Sequence, residues 1–168
     1  MDGAVVDLKL IQLHEVAGEV RDLFTASTAR KNISIIDQIQ PVVMTTDRDM
    51  IAAVLRNLMS NAVKFTPEGG SITIMTAIEE GQIIFGISDT GRGMPQEEVD
   101  KFFTLENVKS LSGTGGETGT GLGLQVCKDF VEQLGGNISI RSKPGEGTEF
   151  KVILPVSGPE NPGSDGTE

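Results

Sequence analysis

The chain has 168 residues, enough for one domain that buries roughly two thirds of its unfolded surface without a disulfide or metal staple. Its 14 Lys and Arg face 24 Asp and Glu, a net charge of −10, and Trp and Tyr are missing, so DNA or RNA would be repelled and would find few stacking platforms. One cysteine excludes an intrachain disulfide, and no apolar run approaches the ~20 residues of a membrane span.

Residues 7–29 place Leu10, Leu13, Val16, Ala17, Val20, Leu23 and Phe24 at three- and four-residue spacing, which predicts one amphipathic helix, with Arg30 and Lys31 suited to its C-terminal dipole. Asp2, Asp7, Glu15 and Glu19 occupy the stretch where a signal peptide would be basic and then apolar, which points to a cytoplasmic chain or the cytoplasmic part of a membrane-anchored sensor. His14 sits at the edge of the apolar stripe. It reads as a helical side chain, with a phosphoacceptor as the sharper alternative.

Residues 32–39 predict a strand, and Val42–Thr45 a shorter one after Pro41. Asp47 or Thr46 then caps a long helix that ends near Phe65, before Thr66-Pro67-Glu68-Gly69-Gly70. Strands over Ser71–Ile78 and Gln82–Asp89 are joined by Glu79-Glu80-Gly81 as a hairpin. After Asp89-Thr90-Gly91-Arg92-Gly93 a short helix is expected over Pro95–Phe103. The run 111–124, LSGTGGETGTGLGL, leads into a helix to Leu134, where Cys127 reads as core. A final hairpin pairs Asn137–Ser142 with Thr148–Leu154. The tail, 156–168, is rich in Pro and Gly with little to bury and is expected to be disordered or a linker.

Glycines at 113, 115, 116, 119, 121 and 123 let the backbone approach a ligand, and the helix that follows offers unpaired N–H groups, a place for phosphate. A P-loop lysine is missing, and Gly119, Gly121 and Gly123 have the wrong spacing for a dinucleotide fingerprint. On the long helix Ile51, Val54, Leu55, Leu58, Ala62 and Phe65 fall within an arc of about 100°, the core face. Asn57, Asn61 and Lys64 form a second arc of about 60° beside it. That stripe is either a solvated flank with an i,i+4 hydrogen bond or a place where an amide oxygen holds magnesium and an ammonium meets phosphate. Asp89 shares a strand face with Ile83, Phe85 and Ile87, so its carboxylate points where its neighbours are buried. An exocyclic amine of adenine could satisfy it, although a turn aspartate that merely caps the loop is the rival. Gly91 and Gly93 would let backbone pass under a flat base, and Met94 could pack on it.

Polar-striped helix, D-x-G-x-G and G-T-G-L-G-L occur in one order, and here the chain resembles a known family. Asn57-Leu-Met-Ser-Asn61-Ala-Val-Lys64-Phe65 resembles the N box, Asp89-Thr-Gly-Arg-Gly93 the first glycine box, Gly119–Leu124 the second, and Gly145-Glu-Gly-Thr148 the last glycine motif of the ATP-binding domain of sensor histidine kinases. The resemblance covers residues 7–155, and the wider superfamily includes type II topoisomerases, ninety-kilodalton heat-shock chaperones and mismatch-repair ATPases. It implies an α+β fold, an α/β sandwich in which about three helices pack on one face of a mixed, mostly antiparallel sheet of about five strands. The domain would span 1–155.

The resemblance further implies that Asn61 holds Mg2+, with Asn57 and Lys64 near the phosphates as the catalytic pair. Phe65 and Met94 would flank the adenine, Asp89 would take its amine, and Thr148 would support Asp89. Gly91, Gly93, Gly119, Thr120, Gly121, Leu122, Gly123 and Leu124 would line the path of the nucleotide, residues 104–120 would form a lid, and Lys109 would reach a phosphate. The implied activity is transfer of the γ-phosphoryl group of ATP to a histidine on a separate dimerisation and phosphoacceptor domain, with a response regulator receiver domain as the next partner. The rival within the fold is a nucleotide-gated interaction module without chemistry. A topoisomerase-like hydrolase is disfavoured, because Asn57 stands where the hydrolytic relatives have a Glu that activates water. Two departures stand out: Phe102-Phe103-Thr104-Leu105 contracts the F box, and His14-Glu15 lacks the Pro of the phosphoacceptor motif, so His14 is not the acceptor. No nucleic acid and no direct membrane contact are expected, and the fragment is expected to be a monomer that does not autophosphorylate.

Overall fold

The computed structural model describes residues 5–101, 111–112, 118–119 and 122–156. The elements in chain order are β1 (Lys9–Gln12), α1 (Leu13–Leu23), α2 (Thr25–Arg30), β2 (Ser34–Ile39), β3 (Val43–Thr46), α3 (Arg48–Phe65), β4 (Ser71–Glu79), β5 (Gln82–Asp89), α4 (Gln96–Lys101), β6 (Leu111–Ser112), β7 (Thr118–Gly119), α5 (Leu122–Gln133), β8 (Asn137–Lys143) and β9 (Gly147–Pro155). Five strands form one sheet in the order β2-β4-β5-β9-β8, with β2 parallel to β4 and the other neighbours antiparallel. The mixed sheet and its three covering helices, α1, α3 and α5, are the fold that the motifs imply.

Alternation along the central strands builds the core. Ile83, Phe85 and Ile87 of β5 sit in register with Leu154, Val152 and Phe150 of β9, and Ile72 and Ile74 of β4 extend the same face. Val54, Leu55 and Leu58 of α3 close on it, with Val16, Ala17 and Val20 of α1 on one side and Cys127, Val131 and Leu134 of α5 on the other. Burial pushes the Cys127 thiol up to about 12, which fits a small apolar filler.

The N-terminal segment differs from the single helix predicted over 7–29. Residues 9–12 form a strand paired antiparallel with β3, Lys9 opposite Thr46 and Gln12 opposite Val43, and the helix begins only at Leu13. Leu10 accordingly lies 73% exposed on the ribbon, while Ile11 turns into the core. The strand wins because β3 needs an antiparallel partner for its backbone groups, which a helix over the same residues could not supply. A second break separates α1 from α2. The Phe24 N–H donates to Arg21 O at 3.1 Å, and the hydroxyls of Thr25 and Thr28 donate back to Asp22 O and Phe24 O, the kind of side-chain bonding that competes with a continuous helix. The expected lid, 104–120, the contracted F box and the tail, 156–168, lie outside the described residues except for 111–112, 118–119 and Val156.

Candidate nucleotide-binding site

The site is built on the C-terminal half of α3. That helix starts where Asp47 Oδ1 accepts the Met50 N–H at 3.1 Å and Oδ2 accepts the Asp7 N–H at 2.8 Å, so the cap also ties down the N-terminal segment. Its apolar ridge packs on the sheet, which turns the flank carrying Asn57, Asn61 and Lys64 toward β5 and α5. Asn57 Nδ2 donates to Ala53 O at 2.8 Å, the i,i+4 bond of a helical flank. Its Oδ1 faces the start of α5, where a methyl on Gly123 would stand 2.5 Å from it. Gly123 is therefore a close-approach glycine, and the two segments meet only without a side chain there.

Asn61, Phe65, Asp89, Gly93, Met94, Leu124, Thr148 and Phe150 line one cleft of about 310 Å3 including its open mouth. The structure thus brings together Asn61, Phe65, Asp89, Gly93, Met94, Leu124 and Thr148 from the sequence-predicted set. Asn57 lies under Gly123 beside the cleft, and Lys64 lies with its ammonium 5.0 Å from the centroid of the Phe65 ring. Gly119 and Leu122 contribute backbone to β7 and α5, and Lys109, Thr120 and Gly121 lie outside the described residues.

Asp89 is the last residue of β5, opposite Thr148 on one side and Ile72 on the other. It is 7% exposed. Its Oδ1 accepts the Gly91 N–H at 2.8 Å and the Thr148 N–H at 3.2 Å, so Oδ2 keeps its acceptor capacity. Burial pushes the carboxyl up to about 6, against the two N–H groups that favour the charged form. Thr148 supports Asp89 through its backbone, because its hydroxyl lies 2.8 Å from Ser142 Oγ. The loop after Asp89 is held tightly. Gly91 packs on the carbonyl of Phe65, and Gly93, at φ +69°, lies against the carbonyl of Lys143 in a conformation and a space that a side chain would not tolerate.

Three residues of the site were missed in the sequence. Phe150 shares the inward face of β9 with Thr148, a two-residue alternation that could have been read. Ser142 Oγ accepts the Met94 N–H at 2.8 Å and donates to Gly147 O at 2.9 Å, which becomes visible only with the β8–β9 register. Arg92 places its guanidinium 4.9 Å from the centroid of Phe65. Among the described residues no group of three or more His, Cys, Asp or Glu could hold a metal.

Residues 46–158 match the family described as histidine kinase-, DNA gyrase B-, and HSP90-like ATPase. The chain belongs to this ATPase family. Its relatives include Sensor protein CutS of Streptomyces coelicolor, 31% identical over 156 residues that make up 92% of this chain and 38% of the relative. Sporulation kinase D of Bacillus subtilis is 35% identical over 152 residues, 89% of this chain and 29% of the relative. The aerobic respiration control sensor protein ArcB of Escherichia coli is 38% identical over 116 residues, 68% of this chain and 15% of the relative. The chain therefore spans well under half the length of these relatives. The catalytic domain of the histidine kinase ThkA superposes with a TM-score of 0.77 at 26% identity, covering 92% of this chain and 99% of that one. As an ATPase-family member related to sensor histidine kinases along most of its length, the chain is a catalytic ATPase module of that family.

Proposed function

We propose that this ATPase module binds Mg-ATP and presents the γ-phosphoryl group to a histidine on a separate phosphoacceptor domain, from which a receiver domain would take it. The observation that carries the reading is the pairing, across one cleft, of a buried carboxylate on the sheet with a helical amide, Asp89 with Asn61. The carboxylate has an acceptor oxygen to spare for an exocyclic amine, and Phe65, Met94, Leu124 and Phe150 provide apolar walls for a base.

Asn61 fits a magnesium ion held mostly by phosphate oxygens and water, since a neutral amide oxygen in the cleft suffices and a carboxylate cage is unnecessary. Once bound, the ion would neutralise charge on the phosphates. Lys64 would swing from the Phe65 ring to phosphate oxygens, and the N-terminal turn of α5, passing over Asn57 at Gly123, would hold the phosphate chain in line. Asn57 is an amide engaged with Ala53 O and cannot take a proton from water, so the chain orients the triphosphate without promoting its hydrolysis. The single histidine, His14, accepts the Val42 N–H at Nδ1 from its place on α1, which leaves the acceptor to another domain.

The test is phosphotransfer from radiolabelled Mg-ATP to an added histidine phosphoacceptor domain from a related kinase, with calorimetry of a nonhydrolysable ATP analogue in parallel. Transfer that is lost in Asn61→Ala, together with the magnesium dependence of binding, is expected. Binding without transfer to any acceptor would make the chain a nucleotide-gated interaction module. No binding would remove the reading altogether.

A further inference from the structure

The Arg92 side chain takes no part in the nucleotide reading given above, yet its surroundings are specific. Its backbone is held on two sides: the N–H donates to Phe65 O at 3.3 Å, and the carbonyl accepts the Gly145 N–H at 2.7 Å. From this fixed base the guanidinium reaches the Phe65 ring, 4.9 Å from its centroid, while Lys64 Nζ stands 5.0 Å from the same centroid. Phe65 lines the cleft, and neither cation is among its described lining residues. Among the described residues Arg92 pairs with no carboxylate.

A long exposed side chain loses rotamer freedom when it lies on a ring, and the attraction between a cation and the ring quadrupole is what offsets that loss. A guanidinium suits the task better than an ammonium, because it is planar, weakly hydrated and able to stack. The two cations differ in what a triphosphate would do to them. Lys64, on the polar stripe of α3, would be drawn to the phosphates, whereas Arg92 is anchored through its backbone to Phe65 O and to the β8–β9 turn.

We propose that Arg92 is a positioning residue for base recognition: set against the Phe65 ring, it holds that ring as the wall on which adenine packs, and does so alone once Lys64 has turned to the phosphates. The proposal rests on the nucleotide reading of the cleft and adds to it a side chain that touches neither base nor phosphate.

The experiment titrates the chain and its Arg92→Ala and Arg92→Lys variants with adenosine, ADP and a nonhydrolysable ATP analogue. Aromatic 13C relaxation of Phe65 is measured in the ligand-free proteins. A cation on a ring near the surface contributes enough for Arg92→Ala to weaken all three ligands by the same factor, about two- to five-fold, with part of the loss recovered in Arg92→Lys. The Phe65 ring should be more mobile in Arg92→Ala than in the parent chain. Unchanged affinity and unchanged ring order would overturn the proposal. So would a loss that grows from adenosine to ADP to the ATP analogue, since that pattern belongs to a phosphate ligand. If the parent chain binds none of the three, the nucleotide reading falls, and the ring relaxation still decides whether Arg92 orders Phe65.

Discussion

Asp89 carries a buried carboxylate that opposes stability when ionised and, in the proposed function, would serve binding. Its carboxyl is raised from 3.8 to about 6 by burial, so the folded state favours the proton. The stability gained from protonation is fully present below pH 3.8 and is lost as pH rises through about 6. At pH 8 the ionised group therefore costs up to about 3 kcal/mol, and Asp89→Asn should recover much of that in urea denaturation at pH 8 and little at pH 4. The same substitution removes a charged acceptor from the cleft and should weaken an ATP analogue by roughly 10- to 100-fold in calorimetry at pH 7.5. In the parent chain affinity should fall as pH drops from 7.5 toward 5, because the protonated carboxyl is a poorer acceptor for the base amine. Gly123 gives a second test at this scale. A methyl there meets Asn57 Oδ1 at 2.5 Å, so Gly123→Ala should destabilise the chain by about 1–3 kcal/mol in denaturant titration and weaken nucleotide binding with it.

At the scale of elements, α3 is the support for the site, and its first turn is the accessible point of failure. Asp47 is buried and accepts two backbone N–H groups, those of Met50 and Asp7. Asp47→Ala should cost about 1–2 kcal/mol in urea denaturation and loosen β1 as well as the helix. This helix was legible from residues alone, since its core ridge, its cap and the Thr66-Pro67 stop all speak to the same boundaries. The two hairpins were equally legible; Glu80 and Gly81 take positive φ at the first turn, and Gly145 and Gly147 at the second. β1 was not, because Leu10, Ile11 and Leu13 satisfy a helical period and a strand alternation together. The partner that decides between them, β3, lies some thirty residues further along. Nor could residue patterns place β9 between β5 and β8, and the roles of Ser142 and Arg92 stayed hidden with that order. Glycine and carboxylate signals are local and survive in sequence, whereas contacts across strands depend on register.

For the molecule as a whole, binding should be visible as added stability. A ligand at a hundred times its dissociation constant contributes about 2.7 kcal/mol, which in a chain of this size raises the thermal midpoint by roughly 5–10 °C. An ATP analogue with magnesium should give such a shift by calorimetry. That gain is reduced by whatever rearrangement binding requires. Asp89 itself sits on the sheet. It ends a strand bonded on both flanks, level with Ile72 and Thr148, in the middle of the five-stranded sheet. A purine held by Asp89, as proposed, would be moored to a strand paired on both sides. Motions that accompany loading, delivery and release of the nucleotide would then pivot about a stationary adenine, and the reach of the terminal phosphate would be measured from a fixed origin.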